Sequence, residues 1–311
     1  MKTAFLFPGQ GSQYVGMGSE LMQYDEFART MEEADDILRF SLTKLCLHGP
    51  EEELTLTANA QPALFAVSVG AQRILAARGI HCQFTAGLSL GEYPALVAAG
   101  ALDFAEGLRL VRDRGILMQA AAPVGTGGML AVVGLDRDAV RQVCEEARGG
   151  EILSCANFNC PGQVVLTGHF AALERAAKIA RQYGAKRTVM LPVSAPFHSE
   201  LMAQCGEQFA ARLAEVELRD PTVAFVSNVT AAFETDASRI RVLLARQLWS
   251  PVLWEESMRL LVAWGVERFV EVGAGTVLSG FMKRIHAKAQ VLRVENARTL
   301  GETLDSLQEV C

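Results

Sequence analysis

From Met129 onward the hydrophobic period of the chain changes in a fixed order. A short apolar run, "MLAVVGL", is followed by the amphipathic stretch "DRDAVRQVCEEAR", the runs "ILSCANF" and "QVVLTG", a second amphipathic stretch "FAALERAAKIARQYG", and a last run "KRTVMLPVS". Runs of that length read as strands, whereas apolar residues three and four apart read as one face of a helix. Val140, Val143, Cys144 and Ala147 share one such face, and Leu173, Ala176, Ala177 and Ala180 share another. The order βαββαβ is the ferredoxin-like arrangement. It begins after the flexible "APVGTGG" and ends at the proline-rich "PVSAPFHS". The block 126–197 is therefore expected to be a small domain inserted into a larger body made of 1–125 and 198–311. That body reads as α/β, because "TAFLFPG" and "VERFVEVGAG" are both buried strand runs entering glycine turns. A cleft between the two parts is the default ligand site.

Composition narrows the function classes. With 311 residues, half of them apolar, the chain can bury a large core. A net charge of −6 without an extended basic run argues against a nucleic-acid binder. The opening "MKTAFLFPGQG" is too short in apolar residues for a secretory signal, and nowhere do about 18 apolar residues run together. A soluble cytoplasmic protein that does not enter membranes is expected. Seven cysteines, among them Cys311 and without a Cys-x-x-Cys pair, fit reduced thiols better than a disulfide framework. Cys155 and Cys160 lie close in sequence but lack nearby histidine ligands, so no metal site is expected.

The segment "FTAGLSLGEYPAL" offers Ser89 in two roles. Gly87 and Gly91 on either side suit a sharp strand-to-helix turn that lifts a nucleophilic hydroxyl clear of its neighbours. Ser89 and Glu92 also have the spacing of a capping box. A nucleophilic serine needs a base. Of the five histidines, His48, His81, His169 and His286 suit turn or solvated positions, whereas His198 in "PVSAPFHSEL" lies at the domain boundary and could face the cleft. Leu90, directly after the serine, could offer its backbone amide to an oxyanion, and the turn "FPGQGSQ" could supply another. That turn lacks the lysine of a P-loop and the spacing of a dinucleotide fingerprint. Arg109, Arg112 and Arg114 sit close together on one helical stretch, and spacing cannot choose which of them would clamp a carboxylate.

Taken in order, "FPGQGSQ", "GLSLGEY", "VRDRGILMQ", "GTGGMLAVVGLD", "ANFNCPGQVVLTG", "PVSAPFHSELM", "RQLWSPVLW" and "EVGAGTVLSGFMKR" resemble the motifs of the malonyl-CoA:acyl carrier protein transacylases, over nearly the whole chain. The resemblance implies an α/β-hydrolase-like core carrying the inserted ferredoxin-like subdomain. It implies Ser89 as nucleophile and His198 as general base, with the backbone amides of Gln10 and Leu90 as the oxyanion hole. Arg114 would pair with the malonyl carboxylate, and the backbone carbonyl of Gln247 would orient the histidine. Malonyl-CoA would be a substrate and an acyl carrier protein the acceptor, with no cofactor and no metal, in a monomeric, free-standing component of fatty acid or polyketide synthesis. Phe197 before His198 resembles the version of that motif that favours malonyl over methylmalonyl units.

Two positions depart from the family pattern. Leu88 stands where histidine is common, and Pro94 stands where a small hydroxyl residue is usual. Pro94 is expected to remove a helical hydrogen bond or displace the first turn. The competing readings are a patatin-like serine acyl hydrolase or thioesterase, and a non-catalytic docking module of a synthase complex. "LDSLQEV" mimics the attachment site of a carrier protein at Ser306, but so few residues follow it that an amphipathic terminal helix is expected. Lys283, Arg284 and Lys288, or Lys186 and Arg187, are candidate contacts for an acidic carrier or for coenzyme A phosphates.

Overall fold

The computed structural model describes residues 1–121, 125–193 and 195–308. Two sheets organise them. The larger contains β1 (Lys2–Phe7), β2 (Phe84–Gly87), β7 (Ala224–Val226), β8 (Phe233–Glu234), β9 (Val266–Val272) and β10 (Gln290–Val294), in the order β10-β9-β1-β2-β7-β8. All its pairings are parallel except β7 with β8. The smaller, antiparallel throughout, contains β3 (Gly127–Val133), β4 (Leu153–Cys160), β5 (Gln163–His169) and β6 (Arg187–Met190), in the order β4-β5-β3-β6.

Strand periodicity explains why β1 is apolar without interruption from Ala4 to Phe7. Phe5 and Phe7 join one core cluster while Ala4 and Leu6 join another, so both faces of the sheet are covered. The covering helix Thr57–Ala77 is itself buried along most of its length, and Phe65 stacks on Phe104 of the helix Phe104–Ala120 at 5.5 Å. In the smaller sheet, Leu130 and Val132 of β3 face the helices Arg137–Arg148 and Phe170–Gln182, with Val140, Val143, Leu173 and Ala176 in the same cluster. Met129 and Ala131 face the other way, into the cluster of the larger body.

The expected strand and helix order between Met129 and Met190 is present throughout. The last strand stops at Met190, short of "LPVS", because Pro192 has no N–H to continue the ladder. The smaller sheet is stitched to the larger body along β4: Phe158 N donates to Val252 O at 2.9 Å and Val252 N to Ala156 O at 2.7 Å. Above this seam Arg137 lies over the Phe158 ring at 4.2 Å and pairs with Glu256 and Glu255.

Pro94 is the third residue of the helix Glu92–Ala98, and the helix forms with the proline in its first turn, directly after the 3-10 turn Ser89–Gly91. Ser306 lies in the helix Ala297–Gln308 and its Oγ accepts from Gln290 Nε2 at 2.7 Å. The described cysteines are free thiols, and Cys311 lies outside the described residues. No helix among the described residues is long and apolar enough to cross a membrane.

Candidate active site

Three neighbouring strands of the larger sheet end at one edge, and their carboxyl ends lead into "PGQ", "LSLG" and "SNV". The carboxyl edge of a parallel sheet is where ligand sites form in such folds, because the loops there are free of the pairing that fixes the strands. A cavity of about 250 Å³ opens at this edge, between the two sheets. Gln10, Ser89, Arg114 and His198 line it from the larger body, and Asn157, Asn159 and Val165 from the smaller.

Ser89 sits on a sharp turn between β2 and the helix Glu92–Ala98, with φ of +50°. A side chain in this left-handed region costs about 1–2 kcal/mol, so the surroundings must hold it. Gly87 and Gly91 make the turn possible: a Cβ on Gly87 would lie 1.8 Å from Gly91 O, and one on Gly91 would lie 2.1 Å from Phe7 O. The turn is then pinned from outside, as Ser89 N donates to Asn228 Oδ1 at 2.7 Å and Ser89 O accepts from Gln247 Nε2 at 3.0 Å. The capping-box alternative is overturned, because Ser89 makes no side-chain cap bond and the Glu92 carboxylate accepts from Asn228 N and Gln247 Nε2 instead.

His198 Nε2 lies 2.9 Å from Ser89 Oγ, and His198 Nδ1 lies 2.8 Å from Gln247 O. A backbone carbonyl can only accept, so Nδ1 carries the proton and Nε2 is left bare toward the serine hydroxyl. Burial, reinforced by the nearby Arg114 charge, lowers the imidazole pKa to about 4. The ring is therefore neutral at pH 7, as a base must be before it takes a proton.

Arg114 is only 1 % exposed. Its guanidinium donates to Gln61 Oε1 at 2.9 Å, to Gln247 Oε1 at 2.8 Å and to Ser89 Oγ at 3.2 Å, all neutral groups. Its Nε is buried without a hydrogen-bond partner among the described residues. Of the three arginines, Arg114 is the one that lines the cavity: Arg109 is exposed, and Arg112 turns away to Ala58 O and Asn59 Oδ1. A buried cation held by neutral amides beside a serine hydroxyl can pair with an anionic group that enters the cavity.

The acyl transferase domain family matches residues 4–305. The malonyl CoA-acyl carrier protein transacylase of Bacillus subtilis is 44% identical over 310 residues, covering 99% of this chain and 98% of that protein. The chain belongs to the malonyl-CoA:acyl carrier protein transacylase family. Among solved structures of this family, an acyl carrier protein S-malonyltransferase from Vibrio cholerae superposes with a TM-score of 0.95 at 43% identity, covering 97% of this chain and 100% of that one. A malonyl-transacylase solved in complex with a type II PKS acyl-carrier protein gives 0.96 at 41% identity, covering 98% and 100%.

Ser89, His198, Arg114 and Gln247 thus meet in one hydrogen-bonded group. Gln10 lines the same cavity with its side chain donating to Thr57 Oγ1 at 3.1 Å, and Leu90 follows Ser89 with its side chain in the core. Phe197 and Leu88 complete the apolar wall. His48 and His81 are exposed, and His169 Nδ1 accepts from Ile152 N at 3.2 Å, away from the cavity. Gln61, Glu92 and Asn228 were not singled out as site residues in the sequence. The position of Asn228 just beyond a strand end was the signal available for it; Gln61, inside a long apolar helix, gives none.

Proposed function

We propose that this chain carries malonyl groups from coenzyme A to the phosphopantetheine thiol of an acyl carrier protein, through an ester on Ser89. The observation that carries the reading is the single serine oxygen that lies within hydrogen-bond reach of both His198 and Arg114. Ser89 Oγ attacks the thioester carbonyl as His198 Nε2 takes its proton. The tetrahedral oxyanion is met by the backbone amides of Leu90 and Gln10. The C–S bond then breaks, and the coenzyme A sulfur leaves with the proton from His198. The carrier thiol attacks the malonyl-serine ester by the reverse route and regenerates the hydroxyl. A thioester is exchanged for a thioester, so atoms balance without ATP, metal or cofactor.

Arg114 supplies selectivity. An acetyl group would leave a desolvated guanidinium without its anion, a penalty of about 1.5–3 kcal/mol. Phe197 restricts the space where an α-methyl substituent would lie. In architecture we read the larger sheet and its helices, residues 1–125 and 198–311, as an α/β-hydrolase-like catalytic subdomain, and 126–197 as an inserted ferredoxin-like subdomain. Its sheet order supports this, since the first and third strands of βαββαβ are central and adjacent. The setting we infer is a cytoplasmic monomer that works on a carrier protein and binds no nucleic acid or membrane.

The test is incubation with malonyl-CoA, with and without a carrier protein, followed by intact mass measurement. A malonyl adduct on the parent, absent from Ser89→Ala and discharged to the carrier, is expected. Release of free malonate in place of malonyl-carrier would establish the hydrolase reading instead, and no adduct at all the docking-module reading.

A further inference from the structure

We propose that Glu92 is a positioning residue for this transfer: a buried carboxylate whose two oxygens hold the serine turn and the Gln247 side chain in one fixed relation. The proposal rests on the transfer reading above and adds to it a residue that does not line the cavity.

The hydrogen bonds run outward from Glu92 in two branches. Oε1 accepts from Asn228 N at 2.6 Å. The Asn228 side chain then grips the turn at both ends, accepting from Ser89 N at 2.7 Å and donating to Gly87 O at 2.7 Å. Oε2 accepts from Gln247 Nε2, which also donates to Ser89 O at 3.0 Å. With its amide so fixed, Gln247 presents Oε1 to Arg114 and its backbone carbonyl to His198 Nδ1. Nucleophile, base and carboxylate receptor therefore all trace back to one side chain, which is 1 % exposed.

The chemistry of the position explains why it is an acid. Each of its oxygens faces an N–H donor, and only a carboxylate offers an acceptor to both. Glutamine there must set its own NH₂ group against either Asn228 N–H or Gln247 Nε2. Burial opposes the charge and raises the carboxyl pKa to about 8, while the donors from Asn228 and Gln247, the Arg114 charge and Ser227 act against that rise; the geometry, with an N–H donor on each oxygen, fits the ionised form. The molecule thus accommodates an awkward group in its interior at the one point where both branches begin.

Rapid-quench acylation by malonyl-CoA, read by intact mass, tests this in Glu92→Gln. The expected result is full adduct amplitude at a rate constant lowered about 10- to 100-fold, as for small displacements of catalytic groups, with KM changed less than about threefold. A purely structural role would instead lower the amplitude with the folded fraction and leave the rate constant of the remainder unchanged; that outcome, or a rate within twofold of the parent, overturns the proposal. Should Glu92→Gln not fold, Asn228→Ala keeps the backbone bond to Glu92 and removes only the grip on the turn. The same loss of rate is expected there, and a parental rate overturns the account. A parent that forms no adduct overturns the transfer reading itself, which separates the two failures.

Discussion

The two sheets reach one cavity with different materials. The body around the larger, parallel sheet presents separate elements: the serine comes from the turn after β2, the buried arginine from the helix Phe104–Ala120 and the buried histidine from the loop ahead of the helix Ala203–Glu215. The smaller, antiparallel sheet presents a face, and from it come Met129, Ala131, Val165 and the amides of Asn157 and Asn159, with no titratable group among the described residues. Separate turns, helices and loops can each aim one group at a common point, whereas a sheet face sets its side chains at the fixed pleat spacing. The difference teaches that chemistry and shape are divided between the two parts of this molecule: substitutions on the first should change rates, and substitutions on the second should change affinity.

The division can be tested at decreasing scale. Replacing His198 with alanine should slow acylation about 10²- to 10⁴-fold, measured by rapid quench, since no other base among the described residues touches the serine. A loss below tenfold would mean that the larger sheet does not own the chemistry. Arg114→Ala should erase most discrimination between malonyl-CoA and acetyl-CoA, lowering the ratio of their kcat/KM values about 10- to 150-fold, the equivalent of about 1.5–3 kcal/mol. On the other side of the cavity, Asn159 Oδ1 is buried without a partner among the described residues and could accept from a substrate N–H. Asn159→Ala is expected to raise KM about three- to tenfold with kcat nearly unchanged, and a fall in kcat instead would break the comparison.

The smallest expected effect is one of pH. His198 has its pKa lowered from the ordinary imidazole value of 6.5 to about 4, so it loses its basic form only when pH falls through about 4. Between pH 5 and 7 the acylation kcat/KM should vary less than about twofold, and an acid limb near pH 6.5 would show that the imidazole is not buried as described. Stability carries the same sign. The unfolded chain binds a proton at this residue below pH 6.5 and the folded chain does not until about pH 4, so acidification across that window weakens the fold.

Much of this was legible in the sequence because the relevant signals are local. The alternation of strand and helix periods from Met129 to Met190 depends on which face each residue buries, and the structure divides the residues as the periods require. Gly87 and Gly91 announced a tight turn because no other residue fits there. What local signals could not separate were Arg109, Arg112 and Arg114, whose fates depend on packing against another helix, and the two roles open to Ser89 and Glu92. Spacing suggested that those two bond each other; the fold brings Asn228 and Gln247, more than a hundred residues away, between them. Short strands such as Phe233–Glu234 leave almost no period to read.

Arg114 waits in the interior bonded to two amides and a hydroxyl, with Glu92 one residue removed through Gln247 and no carboxylate bonded to it among the described residues. A malonyl group esterified to Ser89 would bring the missing counter-ion and bury it against the guanidinium, relieving a deficiency present in the resting protein. The acylated form should then melt at a higher temperature than the resting one. Substrate, on this view, completes the interior of the molecule as well as reacting in it.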